Sequence, residues 1–401
     1  MAKQAIKKKE VIQTSAADIM SMIGMVPQNE QDLSVSSADK PLDFIPMPKA
    51  FENAIKLPGF PMGYMSIITG WSNTGKSTLK NALIASCINN GILPVIYETE
   101  NNFDFKYAIN CGMKATPVFA PCEVEKVNPE TGEVTIEVEE QIVNYAGEFI
   151  YMDTSILARQ YGDIDHSTSK RTKTKRKIAV IEDIAYSINE LLDLQDEGKI
   201  NKPMCFIWDS VGSLPCYRSL TSRTGNNMFD AGALSSAFST ILNNRIPASR
   251  RIGEAYTNTF VCVNKIWNDS MNSMGGVPSI ELKGGKSFFY SSRLIIHMGG
   301  VAKAATKKLT ATAKGQTYSY GTTSKIKVTK NQLPTPWNIT YEGEVSCVHC
   351  GLWCPEEIDA YKKLYSKDLL AQIEHASKGK LQDLNEDDMT FTEEDENEFG
   401  V

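Results

Sequence analysis

Short apolar runs alternate with helical periods along most of the chain, and this pattern predicts an α/β fold. Continuous apolar runs predict buried strands at 64–69, 93–98, 204–209, 258–266 and 293–298. Helical periods predict helices at 77–90 and 178–195. Because strand, glycine loop, helix and strand follow one another over 64–98, we expect a mainly parallel central sheet built from βαβ units.

Polar and charged stretches divide the chain into four predicted regions. Residues 1–50 are interpreted as an arm and linker: the amphipathic stretch AADIMSMIGMV suits a short helix, and the prolines of PLDFIPMP disfavour helix there. Residues 51–345 carry the α/β pattern, interrupted at about 118–178 by an insertion with a predicted β-hairpin that turns at PETG. A small helical segment over 346–382 and an acidic disordered tail over 383–401 complete the chain.

Composition narrows the class of protein. The 401 residues are 42% hydrophobic and carry a net charge of -6. No apolar run approaches the ~20 residues that span a bilayer, and no secretory signal begins the chain, so we expect a cytoplasmic protein without a membrane partner. Nine cysteines in such a chain favour free thiols.

The acidic residues are unevenly distributed. Residues 383–401 hold nine acids and no Lys or Arg, so the rest of the chain carries a net charge of +3. An acidic tail on a mildly basic body suits nucleic-acid binding restrained by the tail, and it equally suits a tail that only keeps the protein soluble.

A phosphate-binding motif lies between the first predicted strand and the first predicted helix. The pattern G-x-x-x-x-G-K-[ST] is matched by Gly70, Trp71, Ser72, Asn73, Thr74, Gly75, Lys76 and Ser77. Its glycines let backbone N–H groups surround phosphates, and the helix N-terminus adds a favourable dipole. Lys76 is expected to reach the β- and γ-phosphates and Ser77 to bind Mg²⁺.

Acidic residues end two other predicted strands. Asp209 follows MCFIW and is expected to complete the Mg²⁺ site together with Ser77. Glu100, just after the strand VIYE, is placed to polarise the water that attacks the γ-phosphate, and Glu98 is its competitor.

Two stretches resemble the nucleotide site of RecA-type recombinases. They are PMGYMSIITGWSNTGKST, over 61–78, and ETENNFDFKYAINCG, over 98–112. The resemblance implies an ATP site that includes Gly70 to Thr78, with Glu100 as the catalytic glutamate, Asp104 as an adenine contact and Tyr107 stacked on adenine. It also implies a RecA-like core, ATP and Mg²⁺ as cofactors, and a role for the arm over 1–50 in oligomerisation.

Two later stretches resemble other parts of the same family. VCVNKI is similar to the sensor strand, with Asn264 in the sensor position and Lys265 where the family has Gln or His. SKIKVTKNQ is similar to the strand that carries two lysines to the ATP of a neighbouring subunit. Lys330 matches the first lysine, whereas Gln332 replaces the second.

The family's two DNA-binding loops correspond to residues 217–232 and 267–285. Both stretches are rich in Gly, Ser and Asn, with arginines for phosphates and large side chains that can wedge between bases. The candidate DNA contacts are Arg218, Arg223, Trp267, Met271, Met274, Lys283 and Lys286. Ordinary polar surface loops are the alternative. The basic run over 170–177 is either a second DNA contact or a solvated loop.

The cluster Cys347, His349, Cys350 and Cys354 contains a C-x₂-C pair typical of zinc sites. A second pair at zinc-ribbon spacing is absent from the sequence. The resemblance implies a plain strand and helix start in this region, which is the stronger interpretation.

Together these features predict an ATP-dependent DNA recombinase of the RecA family, in its phage UvsX-like branch. Such a protein is a DNA-dependent ATPase that forms helical filaments on single-stranded DNA, with ATP at the subunit interface, and exchanges strands with double-stranded DNA. Loader and single-strand-binding proteins are possible partners. The alternatives are a hexameric replicative helicase with the same core and a non-enzymatic ATP-binding mediator.

Overall fold

A computed structural model describes residues 39–127, 134–221, 228–268, 280–282, 286–300, 306–376 and 389–396. Its helices are α1 (Lys49–Ile55), α2 (Lys76–Asn89), α3 (Phe105–Asn110), α4 (Thr154–Tyr161), α5 (Ile181–Asp196), α6 (Tyr217–Thr221), α7 (Met228–Thr240), α8 (Ile246–Ala248), α9 (Lys286–Ser291), α10 (Ile358–Leu364) and α11 (Ser366–Ala376), with a π-helical turn at Ile241–Arg245 and a 3₁₀ turn at Pro355–Glu357. Its strands are β1 (Phe44–Pro46), β2 (Gly59–Pro61), β3 (Met65–Gly70), β4 (Leu93–Glu98), β5 (Thr116–Val127), β6 (Val134–Ala146), β7 (Ile150–Asp153), β8 (Ile164–Asp165), β9 (Lys170–Arg171), β10 (Met204–Val211), β11 (Thr259–Asn268), β12 (Ile280–Leu282), β13 (Ser292–Met298), β14 (Thr306–Ala313), β15 (Gln316–Asn331), β16 (Glu342–Val348), β17 (Gly351–Trp353) and β18 (Met389–Glu396).

One large sheet organises the molecule. Its main path runs β17-β16-β15-β13-β3-β11-β10-β4-β7. The strands from β13 to β7 along this path are parallel, and β15, β16 and β17 extend the sheet in antiparallel fashion. The predicted α/β fold with a mainly parallel central sheet is therefore confirmed, and all five predicted strands are present.

Helices cover both faces of this sheet. Side chains alternate between the faces of a strand, so Ile68 of β3 packs with Leu83 of α2 in one buried cluster and Ile67 packs in the other. The second cluster holds Trp208 of β10, whose ring stacks on Phe238 of α7 at 5.4 Å between centroids. The first cluster holds α2, and with it the end of the phosphate motif, against the sheet.

The predicted hairpin is present and projects from the edge of the core. Strands β5 and β6 pair from Thr116 opposite Ala146 to Val127 opposite Val134, while the PETG turn lies outside the described residues. Large apolar side chains along the hairpin are exposed: Phe119, Val134, Ile136, Val138 and Val143.

The stretch 118–178, predicted as an insertion, also contains a strand of the central sheet. Strand β7 pairs in parallel with β4 at the edge of the sheet. It has only four residues, all partly buried, and a strand that short has no detectable period in sequence.

The acidic tail differs from the disordered segment that its composition predicts. Residues Met389–Glu396 form β18, which pairs antiparallel with β14. Met389 is buried in a third apolar cluster, and Phe391 packs against that cluster. Met389 and Phe391 therefore face the core, while the register sets Glu394 and Asp395 opposite Lys308 and Lys307.

The residues outside the described ranges include the N-terminal arm up to residue 38, part of the first and most of the second predicted DNA loop, and 377–388. Among the described residues, no helix combines the length and the apolar character that a membrane span needs.

Candidate functional site

The phosphate motif forms a tight turn between β3 and α2. Gly75 has φ +91°, and a Cβ on it would lie 2.3 Å from Cys347 Sγ. A Cβ on Gly70 would lie 2.2 Å from the carbonyl oxygen of Met298. Both positions therefore require glycine for space as well as for backbone conformation. The turn leaves the first N–H groups of α2 without intrahelical partners, which suits an anion.

Side chains within the motif are held by its own backbone. The Thr74 hydroxyl donates to the Trp71 carbonyl at 2.8 Å, and the Trp71 indole N–H donates to Gly300 O at 3.0 Å. The Lys76 ammonium also donates to the Trp71 carbonyl. Ser72, Asn73 and Ser77 are exposed at the mouth of the turn.

Two carboxylates meet at the carboxyl ends of adjacent strands. Asp209 of β10 lies directly opposite Glu98 of β4 in the parallel ladder, and both are buried. Lys80 of α2 lies between them, with Nζ 2.5 Å from Asp209 Oδ2 and 3.4 Å from Glu98 Oε2. The same ammonium is 4.9 Å from the centre of the Phe103 ring. Burial raises the pKa of Glu98, and Lys80 opposes that shift.

Glu100 is tied to both acidic strands. Its backbone N–H donates to Glu98 Oε1 at 2.9 Å, and the Ser210 hydroxyl donates to its carboxylate. Asn102 Nδ2 donates to its other oxygen at 3.3 Å. The structure thus brings Glu100, Glu98 and Asp209 into one hydrogen-bonded group with Lys80.

Asp104 and Tyr107 lie on the other side of α2. Asp104 caps α3, because its Oδ1 accepts from the Tyr107 N–H at 3.1 Å. The Tyr107 hydroxyl is 2.5 Å from Thr78 Oγ1 and donates to Val348 O at 3.3 Å. Both residues border a cavity of about 640 Å³, whose other lining includes Tyr318, His349, Tyr365 and Asp368. This cavity therefore adjoins the helix that follows the phosphate turn.

Asn264 is fully buried near the carboxyl end of β11, between β3 and β10. The ladder sets Asn264 opposite Thr69 and Lys265 opposite Gly70, so the predicted sensor position borders the start of the phosphate turn.

Lys330 lies away from the phosphate turn of its own chain. In the ladder Met298 of β13 pairs with Gly70 and with Ile326 of β15, and Lys330 is four residues further along β15, about 13 Å away along the strand. Its ammonium donates to the Phe289 and Tyr290 carbonyls at 2.5 and 3.4 Å, at the end of α9. Burial and the nearby Arg293 lower the pKa of Lys330.

The candidate DNA contacts are only partly described. Arg218 is exposed in α6 and Lys286 is exposed at the start of α9. Trp267 is a residue of β11, but its side chain is outside the described part of the structure. Four further candidates lie wholly outside the described residues: Arg223, Met271, Met274 and Lys283.

Two arginines of the basic run have structural partners. Arg171 forms an ion pair with Asp163, and Arg176 donates to the buried Asp183, which also bonds His166 Nε2 at 2.7 Å. Arg171 and Arg176 therefore anchor this run, and its four lysines, Lys170, Lys173, Lys175 and Lys177, are exposed.

The residues of the Cys347–Cys354 cluster, for which zinc was the weaker interpretation, face different partners. Cys347 packs against Gly75, His349 Nδ1 is 2.5 Å from the Tyr361 hydroxyl, and Cys354 accepts from Asn53 at 3.4 Å. Among the described residues no group of three or more His, Cys, Asp or Glu is arranged to hold a metal ion.

Sequence reasoning missed Lys80 as a member of this site. Lys80 is four positions after Lys76 on α2, so helical periodicity places both on the same face. That spacing was the available signal. The partners of Lys80, however, come from β4 and β10, and the order of those strands is not written in local sequence.

Comparison with known proteins gives one line of similarity. No family model matches the chain. Over 109 residues it is 28% identical to Protein RecA of Herpetosiphon aurantiacus and 28% identical to Protein RecA of Francisella philomiragia subsp. philomiragia. Each match covers 27% of this chain and 29% of the relative, so the chain spans less than a third of the length of these curated relatives. The similarity is at the level of RecA proteins, and the phage branch stays a prediction.

Proposed function

We propose that this chain is an ATP-dependent DNA recombinase that assembles as a filament on single-stranded DNA and pairs it with a homologous duplex. One observation carries the proposal: a glycine phosphate turn and the carboxylates of Glu98, Glu100 and Asp209 converge at the carboxyl ends of neighbouring parallel strands. Ligands of open α/β sheets bind at that edge. The similarity to RecA proteins over 109 residues supports the same class.

The phosphate turn would hold the triphosphate of ATP. Backbone N–H groups of 70–75 and the N-terminus of α2 offer donors to the phosphates. Lys76, whose ammonium donates to the Trp71 carbonyl in this structure, would turn to the β- and γ-phosphates when ATP binds. Asp104 and Tyr107 border the adjoining cavity, which suits the base, and the Thr78 and Val348 contacts fix the ring of Tyr107.

Ser77 and Asp209 suit Mg²⁺ in donor chemistry, because a hydroxyl and a carboxylate are hard oxygen ligands. When bound, Mg²⁺ neutralises charge on the β- and γ-phosphate oxygens. Lys80 donates to Oδ2 of Asp209, so Oδ1 is the oxygen that Asp209 would offer to Mg²⁺.

Glu100 is the better candidate for the base that activates water. The Ser210 hydroxyl orients its carboxylate, and Glu100 is partly exposed. Glu98 is fully buried and already accepts from Lys80 and from the Glu100 N–H, so it has little capacity left for a water. In this scheme Glu98 supports Glu100 instead of acting in its place.

Steady-state ATPase and nucleotide-binding measurements test the site. Lys76→Ala is expected to lose both ATP binding and hydrolysis. Glu100→Gln is expected to bind ATP normally and to lower kcat by about 10²-fold or more, since that is the usual contribution of a general base. A Glu100→Gln protein that hydrolyses ATP at the wild-type rate would move the base elsewhere, with Glu98→Gln as the next variant.

The DNA-level function is tested by strand exchange between a single-stranded circle and a homologous linear duplex, with ATP and Mg²⁺. Joint molecules, together with filaments in negative-stain images, are the expected result. Closed rings that unwind duplex DNA would favour the helicase alternative. An ATPase rate that DNA does not stimulate would favour an ATP-binding mediator.

A further inference from the structure

Lys80 is the least expected residue at the carboxylate edge of the sheet. Its side chain is 3% exposed, against 0% for Glu98 and 8% for Asp209. A buried ammonium is costly unless it is paired, and here it contacts two carboxylates and an aromatic face. The site therefore contains a built-in cation at the place where its acidic residues meet.

Two paths lead from Lys80 to Glu100, one through hydrogen bonds alone and one that also uses the peptide bond between Asp209 and Ser210. The first runs through Glu98, which accepts from Lys80 at Oε2 and from the Glu100 N–H at Oε1. The second runs through Asp209 to the next residue, Ser210, whose hydroxyl donates to the Glu100 carboxylate. Lys80 thus touches the proposed metal ligand directly and fixes both the backbone and the side chain of the proposed base.

Stability alone is a weak reason for such an arrangement. A buried ion pair often contributes little net stability compared with apolar residues of the same volume. Positioning is a better reason, since a catalytic group displaced by about 1 Å can lose about 10²-fold in rate. The ammonium also limits how Asp209 can bind a metal ion, because it contacts Oδ2 of that carboxylate.

We propose that Lys80 is a positioning residue for ATP hydrolysis, which locks Asp209 and Glu100 into one arrangement before nucleotide and metal arrive. The inference rests on the proposed function of the site. Lys80 itself touches neither ATP nor the attacking water; it acts through the two carboxylates. It also repels the incoming metal, so the site gains fixed geometry and gives up some metal affinity.

A pair of variants isolates this role. Lys80→Met alone leaves two buried carboxylates without a cation and can fail to fold. The comparison is therefore between Glu98→Gln, which keeps the Lys80–Asp209 contact, and Lys80→Met/Glu98→Gln, which removes it with one carboxylate fewer. Lys80→Arg keeps the positive charge. Thermal unfolding of each variant first establishes that it is folded.

The expected results separate positioning from structure. Relative to Glu98→Gln, the double variant should lower kcat about 10-fold or more while KM for ATP changes less than about threefold, as for an interaction needed in the transition state. The Mg²⁺ concentration for half-maximal rate should fall about threefold or more, because a cation next to Asp209 has gone. Lys80→Arg should retain about a third or more of the wild-type kcat.

Other outcomes overturn the inference. It fails if the folded double variant matches Glu98→Gln in kcat, if KM rises as much as kcat falls, or if its Mg²⁺ requirement increases. Mn²⁺ binding, followed by electron paramagnetic resonance without nucleotide, gives an independent readout: tighter binding in the double variant supports the Lys80–Asp209 contact, and unchanged binding contradicts it. A wild-type protein without ATPase activity overturns the proposed function itself, and the Mn²⁺ comparison still judges the contact.

Discussion

The thiol of Cys347 lies directly beneath the phosphate turn. Its Sγ fills the space where a Cβ on Gly75 would be, at 2.3 Å. Burial raises the pKa of Cys347 to about 12, so the group stays a neutral thiol at physiological pH. A thiolate there would repel a triphosphate, whereas a neutral sulfur packs against the turn. Zinc binding was the weaker interpretation of Cys347 from the sequence, and the structure gives this residue a packing role.

Gly75→Ala is expected to destabilise the protein and to weaken ATP binding. The φ of +91° alone strains any other residue by about 1–3 kcal/mol, and the contact with Cys347 adds to that strain. The measurement is the free energy of unfolding from denaturant titration, with ATP binding in parallel.

Cys347→Ala is the matched partner for a double-mutant cycle. It removes Sγ and leaves a Cβ at 3.2 Å, so Gly75→Ala should cost less in that background than in the wild type. Equal costs in the two backgrounds would show that the thiol does not shape the turn.

At this scale the sequence revealed what depends on local spacing. The eight-residue phosphate motif, Asp209 at a strand end and Glu100 two residues beyond another strand follow from spacing alone. Lys80 did not follow, because its role arises from three elements that are distant in sequence. Asp104 caps the N-terminus of α3. Local spacing also indicates this role, because Asp104 stands three residues before Tyr107, from whose N–H its side chain accepts a hydrogen bond.

Among the elements, the hairpin of β5 and β6 is the most detached. Its two strands pair only with each other, and the aromatic stack of Tyr145 on Phe105, at 4.4 Å, joins its base to α3. An isolated two-stranded ribbon contributes little stability of its own. The rest of the fold should therefore be independent of its outer part.

Replacing residues 119–141 by a short glycine-containing turn should leave folding intact. We expect the free energy of unfolding to change by less than about 1 kcal/mol, because the removed side chains are mostly exposed. The measurement is denaturant unfolding, with ATPase activity as a second readout. Tyr145→Ala, which breaks the stack at the base, is the contrasting variant, and a larger loss from the trimming than from Tyr145→Ala would contradict this view.

Element prediction succeeded where burial is two-sided and failed where it is marginal. The central strands are continuous apolar runs, and this pattern predicts buried strands. Strand β7 is too short for a period, and β18 carries acids that dominate its composition although Met389 and Phe391 alternate toward the core. The alternation of Met389 and Phe391 is present in the sequence of β18, but the acidic residues around it favour a disordered tail over a strand.

For the whole molecule, the placement of charge matters more than its sum. The acidic strand β18 lies along β14, whose Lys307 and Lys308 stand opposite Asp395 and Glu394 in the register. Residues 389–396 of the tail are therefore built into the sheet of a body that is otherwise mildly basic.

Neutralising the tail without removing the strand should increase affinity for duplex DNA at low salt. The variant is Glu393→Gln/Glu394→Gln/Asp395→Asn, which keeps Met389 and Phe391 in place. Each added net positive charge near DNA should strengthen binding, and the plot of log K against log salt should become steeper. The measurement is fluorescence anisotropy with a labelled duplex across a salt series.

An unchanged salt dependence in that variant would contradict a restraining role for the tail. Deletion of 383–401 is not an equivalent experiment, because it removes β18 and exposes the edge of β14. Exposed strand edges associate with other chains, so the deletion would confuse aggregation with filament formation.

The hairpin also offers a practical route to visualising the protein. Thr116 and Ala146 face each other in the ladder, so the two ends of the hairpin are about 5 Å apart. A fluorescent or gold-binding domain whose own termini are close together can replace the outer part of the hairpin without displacing its two ends. Such a label would leave both chain ends untouched and would report the position of every copy along an assembly.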